Sequence, residues 1–192
     1  MFPDLLLDRF PGLSASQVET LQSHFELMIR WNRSLNLTTI TDTAEAVERH
    51  YCESLFLAQH LSGGRIVDIG SGAGFPGIPV AVLLPESGVT LVESHQRKAV
   101  FLRESTRSLP NVRVLAQRAE AVTEQFDWAI SRAVGYADLA KPLRRLAPNA
   151  ALLTGAETPP DKLGFRWNDP IPVPWGRERW LRVGIRSVSR ET

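Results

Sequence analysis

Residues 66–79 read Ile66-Val67-Asp68-Ile69-Gly70-Ser71-Gly72-Ala73-Gly74-Phe75-Pro76-Gly77-Ile78-Pro79. An apolar run from Ile66 to Ile69 is what a strand buried on both faces requires. Gly70, Gly72, Gly74 and Gly77 then remove the Cβ atoms where a backbone must turn sharply and let a ligand approach closely. Helix is expected to resume near Ile78. A strand, a glycine turn and a helix in this order are the nucleotide-cradling corner of an open α/β sheet, with an ordinary tight strand-to-helix turn as the bland alternative.

Two ligand classes suit such a corner. Gly72-Ala73-Gly74-Phe75-Pro76-Gly77 satisfies G-x-G-x-x-G, the dinucleotide fingerprint, a pattern of low specificity by itself. Against a dinucleotide stand Asp68, an acid two residues before the first glycine, and bulky Phe75 with Pro76, expected to occupy the turn that a pyrophosphate would approach. An acid there suits a cationic, amino-acid-like ligand such as S-adenosylmethionine, which has an ammonium, a sulfonium and a ribose but no phosphate. The next apolar run, Val89-Thr90-Leu91-Val92, ends at Glu93, about 20 residues beyond the turn, where an acid grips ribose hydroxyls in doubly wound folds. Glu93 is the expected ribose ligand.

Composition sets the outer bounds. The chain has 192 residues, 43% hydrophobic and 22% charged, ordinary values for a globular protein with one main domain and a small extension. A formal net charge of +1 means that nucleic-acid contact must come from local clusters. Arg97, Lys98, Arg103 and Arg107 share one helical stretch, and Arg177, Arg179, Arg182, Arg186 and Arg190 crowd the C-terminus; each cluster suits phosphate or is simply solvated. Cys52 is the only cysteine, so an intrachain disulfide is excluded and a reduced cytoplasm is the expected compartment. No run reaches membrane-spanning length, no leader pattern is present, and no His/Cys spacing resembles a metal site.

Ser14 with Gln17 forms a capping-box pattern, and Val18, Leu21, Phe25, Met28 and Ile29 recur at helical spacing as far as Trp31. A second helix is expected from about Ala44 to His60, ended by Ser62-Gly63-Gly64. From Arg65 onward strands alternate with helices, at 65–69, after Gly77, 89–93, 96–108, 112–116, 126–131, 138–146 and 150–153, so a mostly parallel twisted sheet with helices on both faces is expected. The Pro-rich stretch from Pro159 to Pro174 reads as non-helical, and Trp180 to Ile185 alternates like a closing strand in an antiparallel pair. The expected division is an N-terminal helical cap over 1–62 and a Rossmann-like core over 63–192. Ligands in such sheets bind at the carboxyl ends of the strands, which would collect Asp68, Glu93, Arg118-Ala119-Glu120 and Ser131-Arg132 at one rim.

Several segments together resemble one family, the bacterial small-subunit ribosomal RNA guanine-N7 methyltransferases, or glucose-inhibited division protein B family. They are Trp31-Asn32-Arg33-Ser34-Leu35-Asn36-Leu37-Thr38, Arg49-His50-Tyr51-Cys52-Glu53-Ser54-Leu55, the glycine turn through Pro79, Leu91-Val92-Glu93-Ser94 with Arg97-Lys98 and Phe101-Leu102, Arg118-Ala119-Glu120, Ser131-Arg132-Ala133, and Glu178-Arg179. The resemblance covers nearly the whole chain. It implies a class I S-adenosylmethionine-dependent methyltransferase, an α/β protein, that methylates N7 of a guanine (guanine 527, in the 530 loop) of 16S ribosomal RNA, alone or in the 30S subunit, as a cytoplasmic monomer without metal.

By the same resemblance, Gly70 and Phe75 in the turn, Ala119 and Glu120 near the adenine, Glu93 at the ribose and Arg132 after the fourth strand match cofactor-binding positions; the reading of the turn itself adds Asp68, Gly72 and Gly74 to the expected cofactor site. Three positions depart from the family pattern: Glu53 and Glu93 stand where aspartate is usual, and Thr154 where a lysine commonly precedes Gly155. Guanine N7 has a lone pair and no proton, so no general base is expected. Arg132 either orients cofactor or substrate or forms a structural ion pair. Asn36, Arg49, His50, Arg97 and Lys98 are the RNA-contact candidates, against plain alternatives: Asn36 as a turn cap, His50 as a structural histidine, Trp31 as core. The rival functions are methyl transfer to another acceptor, a non-catalytic RNA-binding assembly factor, and an NAD-dependent oxidoreductase.

Overall fold

The computed structural model describes residues 1–187, so Arg190 of the C-terminal cluster lies outside the described residues. Strands β1 (Arg65–Ile69), β2 (Gly88–Val92), β3 (Val112–Leu115), β4 (Trp128–Arg132) and β5 (Asn149–Thr154) pair in parallel. Strands β6 (Phe165–Trp167), β7 (Ile171–Pro172) and β8 (Trp180–Arg186) add antiparallel pairings, and the order is β3-β2-β1-β4-β5-β8-β6 with β7 against β8. The order reverses at β1, whose neighbours are β2 and β4. That reversal opens a crevice at the carboxyl ends of these strands, and the glycine turn leaves β1 at that point. Ile66 to Ile69 are all buried, as the unbroken apolar run anticipates.

Two hydrophobic cores flank the sheet. One gathers Leu21, Tyr51, Leu55, Ile66, Ile78, Leu91 and Phe101; the other gathers Val67, Ile69, Leu139, Leu143, Leu152 and Phe165. Alternate residues of β1, Ile66 and Val67, fall into opposite cores because successive strand side chains point to opposite faces. Helices α1 (Phe2–Arg9), α2 (Ala15–Leu35), α3 (Thr43–Ala46), α4 (Glu53–Ala58), α5 (Gly77–Leu83) and α6 (Gln96–Ser105) contribute to the first core, and α7 (Tyr136–Leu146) to the second. Phe2, Leu21 and Tyr51 share their core with Ile66 and Ile78, so the N-terminal helices pack continuously into the sheet layer rather than around a core of their own.

The N-terminal region differs from the sequence expectation in three ways. Helix α1 is additional, buried through Phe2 and Leu6; with only two buried residues it carries little periodic signal. Helix α2 starts with the Ser14–Gln17 capping box and runs four residues past Trp31 to Leu35, where Asn36 takes the left-handed conformation at φ 48°. The helix expected from Ala44 to His60 is interrupted by a π-helical segment, Val47–Cys52, between α3 and α4. In the Pro-rich stretch the chain forms two short strands and a 3-10 turn, Asp161–Leu163.

Candidate active site

The rim is built by the carboxyl ends of β1, β2, β3 and β4. A cavity of about 190 Å³ lies there, lined by Gly70 from the turn, Glu93 and Ser94 after β2, Gln117 to Glu120 after β3, and Val134 with Asp138 after β4. Gly70 has φ +73° and the Val134 side chain stands 2.6 Å from where a Cβ would project, so only glycine fits between turn and cavity wall. Arg145 of α7 fixes the far wall by donating to the carbonyl oxygens of Ala119 and Glu120 at 2.9 and 3.1 Å.

Glu93 is the best-placed acid. Its two carboxylate oxygens accept from Gly72 N at 2.9 Å and His95 N at 2.7 Å, which locks its orientation at the cavity mouth. A carboxylate retains further lone pairs after two such bonds, enough for the vicinal hydroxyls of a ribose. The same contact corrects the argument that Phe75 obstructs a pyrophosphate: Phe75 is only 3% exposed and points into the core. What disfavours a phosphate at the turn is that the Gly72 N–H is already spent on a carboxylate.

Asp68 also differs from expectation. It is fully buried beneath the turn, where one oxygen accepts from Gly77 N at 3.0 Å at the start of α5 and the other has no hydrogen-bond partner. Burial pushes its carboxyl up to about 7. Asp68 therefore acts on the backbone of the turn rather than presenting a charge to the open cavity. Gly77 is obligatory beside it, since a Cβ would stand 2.3 Å from Leu91 and 2.6 Å from the Asp68 carboxylate.

Behind the turn, α2 and the π-helical segment supply two buried histidines. His24 Nε2 meets the Ala73 carbonyl at 2.9 Å and His24 Nδ1 meets the Tyr51 hydroxyl at 2.8 Å. A carbonyl only accepts, so Nε2 carries the proton and Tyr51 donates to Nδ1. Desolvation lowers His24 to about 4. His50 is 5% exposed and stacks on Phe75 with ring centroids 4.7 Å apart. Its Nδ1 accepts from Arg132 at 2.9 Å, so Nε2–H donates to Thr38 Oγ1 at 2.8 Å. Burial first, and then the charge of Arg132, lowers His50 to about 3.

Arg132 completes this layer. Its guanidinium donates to Arg49 O at 2.7 Å and lies 5.1 Å from the Phe75 ring centroid, and it makes no ion pair among the described residues. Burial lowers it to about 10. A largely buried cation beside the turn, with no carboxylate of its own, fits the amino-acid end of S-adenosylmethionine, while Glu93 and the Ala119–Glu120 wall fit its ribose and base. Arg49 itself is held by Glu45 and Glu53.

The remaining RNA candidates lie apart from this cavity. Asn36 is exposed at the end of α2, and Arg97 with Lys98 opens α6. Asn32, quoted in the family motif without a role of its own, accepts from Leu37 N and Thr38 N at 2.7 and 2.9 Å through its side-chain oxygen; it organises the turn that delivers Thr38 to His50. Trp31 packs against Phe101 with centroids 5.7 Å apart. Cys52 is buried, its thiol pushed up to about 12 by desolvation, which excludes a thiolate nucleophile. No metal-holding group of acids, histidines and cysteines occurs among the described residues, and no described helix is long and apolar enough to cross a membrane.

A second cavity of about 420 Å³ meets the first at Val134 and is lined by Ala133 to Tyr136, Leu153 to Glu157 and Arg179. It opens on the other side of the β4–α7 loop. The sequence marks Ala133, Thr154 and Arg179 singly but not their juxtaposition, because the walls come from the ends of β4, β5 and the approach to β8. Arg179 is anchored there by two bonds to the fully buried Glu53 carboxylate, at 3.2 and 2.9 Å.

Comparison with known proteins places this geometry. A family described as rRNA small subunit methyltransferase G matches residues 17–151. The chain is 48% identical over 114 residues to ribosomal RNA small subunit methyltransferase G of Xylella fastidiosa strain M23, covering 58% of this chain and 54% of that protein. It is 43% identical over 134 residues to the protein of the same name from Nitrosomonas europaea, covering 66% and 63%. The matched stretches thus span less than two thirds of these relatives. Among solved structures, a SAM-dependent methyltransferase from Aquifex aeolicus superposes with TM-score 0.57 at 16% identity over 73% of this chain and 92% of that one. The Methanococcus jannaschii fibrillarin pre-rRNA processing protein does so with TM-score 0.54 at 16% identity over 65% and 67%. The fold is that of the class I S-adenosylmethionine-dependent methyltransferases.

Proposed function

The chain belongs to the rRNA small subunit methyltransferase G family, and on that premise we propose that it transfers a methyl group from S-adenosylmethionine to N7 of a guanine in 16S ribosomal RNA. The observation that carries the reading is Glu93, held by Gly72 N and His95 N at the switch point of the sheet, facing a cavity whose opposite wall is the Ala119–Glu120 turn. Bound there, S-adenosylmethionine supplies a methyl group made electrophilic by its sulfonium. The acceptor nitrogen has a lone pair and no proton to lose, so the chain needs no general base. Its contribution is orientation, worth as much as about 7 to 11 kcal/mol in favourable cases.

Each residue has a stated part. Glu93 accepts from the ribose hydroxyls. Arg132 faces the carboxylate of the methionine moiety, and neutral His50 keeps it there by accepting one of its N–H groups. Gly70 and Val134 line the cofactor cavity, and Val134 also lines the second cavity. Asn36, Arg49, Arg97 and Lys98 remain the RNA-facing candidates. The organisation that accompanies this reading is a helical segment over 1–62 joined to a methyltransferase core over 63–192, working as a monomer in the cytoplasm.

The test incubates the protein with radiolabelled S-adenosylmethionine and 30S subunits lacking the modification, then maps the label. Label at guanine N7 is the expected result. Cofactor binding with no label in the RNA would defeat the acceptor assignment.

A further inference from the structure

His50 has two neighbours that agree on where its proton sits. Arg132 donates to its Nδ1 at 2.9 Å, and an arginine only donates, so Nδ1 is bare. The neutral imidazole therefore carries its proton on Nε2, 2.8 Å from Thr38 Oγ1. That hydroxyl oxygen also accepts from Ile40 N at 3.0 Å, and two lone pairs suffice for both bonds. The ring itself is held by its stack on Phe75, with centroids 4.7 Å apart.

The line from Arg132 through His50 to Thr38 is continued by Asn32 of α2. Its side-chain oxygen accepts from Thr38 N at 2.9 Å and its amide nitrogen donates to Thr38 O at 2.9 Å, so both backbone groups of Thr38 are fixed from the helix. At the other end, Arg132 makes no ion pair among the described residues. Its protein acceptors are Arg49 O at 2.7 Å and His50 Nδ1. A carbonyl accepts whatever its surroundings, whereas an imidazole nitrogen accepts in one tautomer and opposes a donor in the other. The direction of the guanidinium thus depends on the tautomer of His50, and the tautomer on the hydroxyl of Thr38.

We propose that Thr38 is a positioning residue for the cofactor: by accepting the His50 Nε2 proton it locks the tautomer that aims Arg132 at the carboxylate of the methionine moiety. This rests on the assignment of Arg132 to that carboxylate. Without the hydroxyl, the His50 proton has two poor places. On Nε2 it is buried with no acceptor, and on Nδ1 it faces a cationic donor. Either way His50 loosens, and Arg132 with it.

The experiment titrates the full chain and its Thr38→Val, Thr38→Ser and Arg132→Met variants with two ligands. One is S-adenosylmethionine; the other is 5′-methylthioadenosine, which has the base and ribose without the amino-acid end. Proton–nitrogen NMR correlation reads the His50 tautomer, and Thr38→Ala stands in should the Val variant fold poorly. Thr38→Val is expected to bind S-adenosylmethionine about tenfold more weakly, as for one hydrogen bond to a charged group, and 5′-methylthioadenosine as the wild type does. It should also lose the single Nε2–H signature, and Thr38→Ser should restore both properties. Equal weakening for the two ligands, or none for either, would make Thr38 a brace of its own turn and overturn the proposal. Arg132→Met weakening S-adenosylmethionine alone, while Thr38→Val binds it normally, would overturn the positioning role and leave Arg132 at the carboxylate. Arg132→Met binding both ligands like the wild type would remove Arg132 from the carboxylate and overturn the proposal together with that assignment.

Discussion

His24 Nε2 lies 2.9 Å from the carbonyl oxygen of Ala73, so the longest helix of the protein holds the middle of the glycine turn through one hydrogen bond. The contact depends on Gly74, where a Cβ would come within 3.4 Å of that nitrogen and 2.4 Å of Ile78. Replacing His24 by Leu leaves the Ala73 carbonyl and the Tyr51 hydroxyl buried without partners, at about 1 to 3 kcal/mol each. The expected outcome is a lowered unfolding free energy in urea together with weaker S-adenosylmethionine binding by calorimetry. Cofactor affinity equal to wild type in a destabilised variant would restrict His24 to a structural role.

The two buried histidines and Asp68 give stability a defined pH dependence. His24 and His50 sit near 4 and 3 in the fold, below the ordinary 6.5, so the stability they contribute is complete above about 6.5 and is lost as pH falls towards those values. Asp68 is raised to about 7 from 3.8; its contribution is complete below 3.8 and is lost as pH rises towards 7. Between roughly pH 4.5 and 6, unfolding takes up two protons at the histidines and releases one at Asp68. The net is one proton, or about 1.4 kcal/mol of stability gained per pH unit. Asp68→Asn retains an acceptor for Gly77 N and removes the opposing titration, so its slope should double. Parallel wild-type and variant curves in urea titrations over this range would refute the assignment of the carboxyl.

Glu93 combines two functions that a substitution separates. Glu93→Ala removes the ribose acceptor and also frees Gly72 N and His95 N, whereas Glu93→Gln keeps one acceptor oxygen for the backbone. Both should weaken S-adenosylmethionine binding by roughly 1.5 to 3 kcal/mol, the worth of hydrogen bonds to a charged group, and the alanine variant, which strands both backbone N–H groups, should lose more thermal stability than the glutamine variant, whose amide NH2 strands one. Calorimetry and melting curves on the pair decide it. An unaltered dissociation constant in Glu93→Gln would remove Glu93 from the cofactor site.

How much of this was legible in the sequence follows from how local each signal is. The strand from Arg65 to Ile69, the glycine turn and the acid after β2 are consecutive in sequence and sit where their spacing places them. The side-chain depth of Asp68, Phe75 and His50 was not legible, because it depends on α2 and the π-helical segment packing against the back of the turn. The second cavity was hidden for a similar reason. Its walls join residues 133–136 to 153–157 and 179, a juxtaposition created by β8 inserting beside β5.

That insertion is fastened by a contact between distant parts of the chain. Arg179, just before β8, donates twice to Glu53 at the start of α4, whose side chain is fully buried. Arg49 lies 3.8 Å from the same carboxylate, so one acid answers two cations. Glu53→Gln would leave both arginines short of charge, and breaking a buried pair from one side costs about 3 to 5 kcal/mol. Removing both members, as in Glu53→Leu with Arg179→Met, also removes the stranded charge of Arg179, so the double variant should be more stable than the Glu53 single variant. Urea unfolding of the two single variants and the double variant measures the coupling directly. Strictly additive losses would mean that the approach to β8 is held by its apolar contacts alone, with the ion pair contributing nothing to fastening the C-terminal strands to α4.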